Sequence, residues 1–117
     1  MVVVFGVIAG GANNCIHYAS HSTIAGGNYN CIYACCTLAC QLPTGSFIGG
    51  GTCNRIIQCT VRCANSRMCY DVIAGGHCNQ IFAQCAYTCI NRSINTIGGG
   101  LCNCLGNGMH NFIGRGS

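Results

Sequence analysis

A chain of 117 residues is one domain's worth, enough for a single modest core, and residues 1–117 read as one repeat domain. Only 5% of the residues are charged, against about 25% in an ordinary domain, and Asp71 is the sole acid, so paired-carboxylate catalysis is excluded. The net charge of +4 comes from the scattered Arg55, Arg62, Arg67, Arg92 and Arg115, which argues against a nucleic-acid partner, and a surface so poor in charge points to contact with other protein.

In chain order, the opening Val2-Val3-Val4-Phe5 is apolar, has no basic leader and runs into the first repeat, so it reads as a first strand rather than a signal peptide. Glycines interrupt every apolar run well short of the roughly 18–20 residues of a membrane span. From Ile8 the chain reads IAGGANNCI, then IAGGNYNCI from Ile24, IGGGTCNRI from Ile48, IAGGHCNQI from Ile73 and IGGGLCNCL from Ile97, with a truncated IGRG at Ile113. The openers are spaced 16, 24, 25, 24 and 16 residues apart, and each motif closes eight residues on, at Ile16, Ile32, Ile56, Ile81 and Leu105.

The unit is an octad, which suits a strand of about five residues and a turn of about three. A helix would carry glycine pairs at about 1 kcal/mol per Gly. Short strands joined by corners at constant period predict an all-β fold, a parallel β-helix or β-solenoid, with about 24 residues per three-sided coil. Stacked at about 4.8 Å, the chain makes roughly four and a half coils. Ile24, Ile48, Ile73 and Ile97 are expected on one face, and Ile32, Ile56, Ile81 and Leu105 on the second. Ile16, Cys40, Ala64 or Asn65, Cys89 and Ile113 fall on the third, and Ile8, 16 residues before the next opener, on a different face from Ile24. A path in which three chains interleave one octad each fits the same period.

The glycine pairs Gly10-Gly11, Gly26-Gly27, Gly50-Gly51, Gly75-Gly76 and Gly99-Gly100 mark corners, where a bend needs positive φ or close backbone approach. The residue before each pair is always small (Ala9, Ala25, Gly49, Ala74, Gly98), which leaves room for a packed neighbour. Asn14, Asn30, Asn54, Asn79 and Asn103 hold one corner position and suit an amide ladder from coil to coil.

The fourteen cysteines fall in columns, notably Cys53, Cys78 and Cys102, and Cys40, Cys63 and Cys89. Three readings stand: small apolar core filler, disulfides between coils, or soft metal ligands such as Cys102-x-Cys104 with His110, or His77-Cys78. No metal site or cofactor is assigned. A Cys–His dyad using His17, His21, His77 or His110 is available only by the arithmetic of so many cysteines, and no phosphate-binding loop occurs, so the chain reads as a non-enzyme. The period of eight departs from the six of the hexapeptide acyltransferases. Ice binding remains an alternative, although Thr23, Thr52, Thr60, Thr88 and Thr96 form no Thr-x-Thr array.

The phrases STIAGGNYN (22–30), SFIGGGTCN (46–54) and NTIGGGLCN (95–103) resemble the Gly/Asn-rich β-solenoid repeats of phage and large-virus fibre proteins, and those of trimeric autotransporter adhesin heads. The likeness runs over nearly the whole chain, although the cysteine content and the 24-residue interval depart from the adhesin pattern. It implies a trimeric shaft or adhesin, extracellular or on a virion surface. The bare Val2–Phe5 opening and the mid-coil stop after Ile113 show no polar cap, so the expected partner is the chain itself, as a homotrimer or an end-to-end filament. On this reading it is a non-catalytic building block of a fibre, filament or surface appendage. The alternative is a receptor- or carbohydrate-binding module contacting ligand through Tyr18, Tyr29, Tyr70 and Tyr87.

Overall fold

A computed structural model describes residues 6–17, 21–36, 45–60, 70–85, 94–106 and 110–115. Among these residues there is no helix, and eleven short strands alternate strictly between two parallel sheets. One sheet contains β1 (Val7–Ile8), β3 (Thr23–Ile24), β5 (Phe47–Ile48), β7 (Val72–Ile73), β9 (Ile94–Ile97) and β11 (His110–Ile113), in that spatial order. The other contains β2 (Cys15–His17), β4 (Cys31–Cys36), β6 (Arg55–Thr60), β8 (Gln80–Cys85) and β10 (Cys104–Leu105). A ladder of single bridges, Ala12–Asn28–Thr52–His77–Leu101, links the motifs between the two sheets.

The strands are parallel because each motif repeats with the same polarity, and identical motifs pair best when each residue meets its own copy. The openers therefore align as Ile8, Ile24, Ile48, Ile73, Ile97 and Ile113. The closers align as Ile16, Ile32, Ile56, Ile81 and Leu105. Between these columns lies the core: the seven isoleucines from Ile24 to Ile97 are fully buried, with Ile16, Leu105 and Ile113 packed against them. Ile8, on the outermost rung, is 44% exposed.

This register corrects the expected faces. Ile8 does not sit apart from Ile24 but pairs with it; Ile16 stacks on Ile32, and Ile113 on Ile97. The physical reason is that two octads already carry the chain from one sheet to the other and back, so a 16-residue interval returns to the same column as a 24-residue one. Cys40, Ala64, Asn65 and Cys89, expected on the third face, lie outside the described residues, as does the expected strand at Val2–Phe5. His21 and Gly45, each three residues before its opener, share a positive φ, 56° and 92°, so the 16-residue circuit into Ile24 and the 24-residue circuit into Ile48 re-enter the sheet alike, whereas Tyr70 and Ile94 at the same offset have no positive φ. Deleting residues 37–44 should therefore keep both columns in register. Far-UV circular dichroism is expected to be unchanged, and urea unfolding to stay cooperative within about 1 kcal/mol of the parent.

Candidate functional site

The flank between the bridge ladder and the second sheet concentrates the polar and sulfur chemistry, and the corner glycines create it. In every pair the second glycine is constrained, and at Gly50 and Gly99 the first also holds a positive φ, 154° and 151°. Gly76 has φ 95°, and a methyl group there would overlap the carbonyl oxygen of Gly100 on the next rung and approach the Asn79 amide nitrogen at 2.6 Å. Gly75 faces open space. The small residue ahead of the pair also has an internal cause at two motifs. A methyl on Gly49 would meet the Ala74 carbonyl, and one on Gly98 the Gly114 carbonyl. At Gly49 and Gly98 the next rung, not an outside partner, demands smallness.

The close approach of these backbones is where the Asn column works. Asn30, Asn54 and Asn79 are fully buried. The Asn54 Nδ2 donates to Gly50 O within its own turn at 2.9 Å and to Gly76 O on the next rung at 3.0 Å. Its Oδ1 accepts the Asn79 backbone N–H at 3.0 Å, and Asn30 and Asn79 repeat the pattern on either side. Asn14 starts the column with bonds to Gly10 O, Gly27 O and Asn30 N–H, and Asn103 adds a direct amide contact to Asn79 Oδ1 at 3.0 Å.

A second buried polar column escapes the motif spacing as first read. Ser22, Ser46, Asp71, Asn95 and Asn111 each stand two residues before an opening Ile, and the first four are at most 2% exposed. The Asp71 carboxylate accepts from the Asn95 backbone N–H at 3.0 Å and from its amide at 3.2 Å. The small polar residue at that offset was the available signal. Its consequence is electrostatic: the chain's only acidic side chain is spent inside, so no acidic side chain reaches the surface.

One residue per motif adopts the left-handed conformation without being glycine: Asn13, Tyr29, Cys53, Cys78 and Cys102, with φ from 54° to 57°. Asn tolerates this region, whereas other side chains pay about 1–2 kcal/mol. The N–H groups of the last three are held by the bridge ladder, Cys53 to Asn28 O, Cys78 to Thr52 O and Cys102 to His77 O, at 2.9–3.0 Å. Near-equal φ values and the parallel bridges stack the three cysteines at one position on successive rungs, with Cys78 between Cys53 and Cys102.

On the neighbouring strand position Cys15 pairs with Cys31, followed by Arg55, Gln80 and Cys104. Cys15, Cys31, Cys53, Cys78, Cys102 and Cys104 are free thiols; Cys40, Cys63 and Cys89 lie outside the described residues. Register also pairs Cys35 with Cys59, whereas Cys85 meets Thr60.

Burial pushes the Cys31 thiol up, with the neighbouring Cys15 adding to the rise and Arg55 opposing it. Desolvation likewise raises Cys78, reinforced by Cys53 and Cys102. Folding thus favours the protonated thiols: their contribution is full below the unfolded thiol range of about 8.5 and is lost as pH rises through the folded values. Under reducing conditions the urea midpoint is expected to fall between pH 7.5 and pH 10, and Cys31→Ser should flatten that decline.

Between these columns opens a depression of about 400 Å³ lined by Asn13, Tyr29, Cys31, Tyr33, Cys53, Arg55 and Ile57. Tyr33 stacks on His17 with ring centroids 5.3 Å apart. Of the tyrosines singled out as contacts, Tyr29 lines this depression, Tyr70 packs at Gly45 on the other edge of the fold, and Tyr18 and Tyr87 lie outside the described residues. Among the described residues no three His, Cys, Asp or Glu side chains converge as a metal cage, and no helix is long and apolar enough to cross a membrane. Comparison with family models, curated proteins and solved structures finds no match to this chain.

Proposed function

We propose that the chain is a non-catalytic β-solenoid, a structural segment of a fibre, filament or surface appendage that associates with copies of itself. The observation that carries this reading is the use of the polar inventory. The Asn column and the column running through Asp71 both join one rung to the next. A rod is what such bonding builds, since each circuit contacts only its neighbours.

Self-association draws on the outward column of the first sheet, Val7, Thr23, Phe47, Val72, Thr96 and Phe112. Val7, Phe47 and Phe112 are 56%, 37% and 73% exposed there, on a protein without surface carboxylate side chains to oppose close approach. Side-by-side association, as in a homotrimer, fits that face, and end-to-end stacking would instead use the outermost rungs. Sedimentation velocity with negative-stain microscopy is expected to show trimers or elongated assemblies; a monodisperse monomer at high concentration would overturn self-association.

A binding-module reading has its own support in the Tyr29–Tyr33–Arg55 depression, where aromatic faces and a guanidinium lie side by side. A glycan array separates it from the structural reading, because the structural reading expects no saccharide retained. The ice-binding alternative gains no comparable support: only Thr23 and Thr96 of the six outward residues in the first sheet are threonines.

A further inference from the structure

We propose that Cys53, Cys78 and Cys102 form a two-coordinate thiolate site for soft monovalent metal ions of the copper(I) class, each ion bridging sulfurs on successive rungs. The argument starts from spacing. Copies of one position on adjacent parallel rungs stand about 4.8 Å apart, and equal backbone angles keep their Cβ atoms at about that separation. A disulfide wants Cβ atoms about 3.8 Å apart, so direct bonding between rungs requires the ladder to pinch. Two thiolate–metal bonds of about 2.3 Å, the length zinc makes, span about 4.6 Å in a line and match the rung without pinching.

Three further observations support the site. The column places cysteine on three consecutive rungs in a left-handed conformation that asparagine or glycine adopts more readily, as Asn13 does on the outermost rung. Cys78 stands on the rung between Cys53 and Cys102, so one sulfur can serve two ions. Thiolates select soft ions such as copper(I), and a linear ion needs two ligands rather than the three-residue cage that the described residues lack.

The balance is simple. Two monovalent ions bridge three sulfurs, three thiol protons leave to the buffer, and no electron is transferred. The S–M–S–M–S run carries one net negative charge, and Arg55, which lines the same depression as Cys53, lies on the side that offsets it.

Silver(I) tests the site without oxidising thiols. The reduced full chain receives two equivalents of silver(I) and is alkylated with iodoacetamide under native conditions, and labelled positions are mapped by mass spectrometry. Labelling of Cys53, Cys78 and Cys102 is expected to slow at least about tenfold, while exposed Cys104, close in sequence but off the column, labels at its metal-free rate. Cys78→Ser should return both Cys53 and Cys102 to that rate, because they stand two rungs apart. Cys53→Ser should keep Cys78 and Cys102 protected by one equivalent, and it decides the matter if Cys78→Ser does not fold. Protection of Cys104 equal to that of the column, or protection of Cys53 surviving in Cys78→Ser, would overturn the site. So would a metal-free Cys53–Cys78 cross-link in the oxidised protein.

Discussion

Gly76→Ala is expected to destabilise the chain by more than about 3 kcal/mol, or to prevent folding, while Gly75→Ala changes stability by less than about 0.5 kcal/mol. The two residues are neighbours and chemically identical, so the contrast isolates geometry. Gly76 holds φ 95°, which an L side chain rarely adopts, and its added methyl would overlap the Gly100 carbonyl. That carbonyl cannot withdraw, because it accepts the backbone N–H of His77 at 3.0 Å and the Asn79 amide at 3.0 Å. Relief would separate two rungs and break the ladder on both sides. Gly75 has open space instead, and alanine there removes some of the unfolded chain's freedom. Urea unfolding of both variants settles the matter; equal losses would mean that the corner is not packed as described.

Asn54→Ala should cost about 3–5 kcal/mol, clearly more than Asn14→Ala at about 1–2 kcal/mol. Removing the Asn54 amide strips the buried Asn79 N–H of its acceptor and takes a donor from both Gly50 O and Gly76 O. Each buried group left without a partner costs about 1–3 kcal/mol, although Gly76 O keeps the Thr52 N–H at 3.0 Å. Asn14 makes a similar set of bonds on the outermost rung, where water can replace them. Asn54→Asp sharpens the test: a carboxylate can accept from Asn79 but would face two carbonyl oxygens, so it should do no better than alanine at neutral pH. Equal losses at positions 14 and 54 would indicate that burial of the column does not matter.

The parts of this architecture that were legible in the sequence are those in which one residue type recurs at one offset. Ile at every eighth residue implied short strands facing a common core, and the structure is all-β with parallel sheets. The shared Asn marked one corner, and Asn14 to Asn103 do run from rung to rung there. Counting intervals misplaced Ile8, Ile16 and Ile113, because register follows the likeness of paired residues rather than a constant circuit length. The polar column of Ser22, Ser46, Asp71, Asn95 and the half-buried Asn111 was hidden by its changing identity: the position asks for a small hydrogen-bonding group, which several residue types supply.

The left-handed column was harder still to see. Asn13, Tyr29 and Cys53 share a backbone angle but no chemistry, and nothing in the letters announces it. The unequal demands on the paired glycines were invisible for the opposite reason, since the letters are the same and only the neighbouring rung distinguishes them.

The mixed circuit lengths carry a consequence of their own. The stretch joining β2 to β3 spans five residues, 18–22, and that joining β4 to β5 spans ten, 37–46, yet both return the chain to the same column. Treated as a plain tether, doubling such a stretch costs only about 0.6 kcal/mol. The paired columns and the stretches that join them are therefore separable: a joining stretch can be lengthened or shortened by whole octads while the register of the isoleucine columns stays the same.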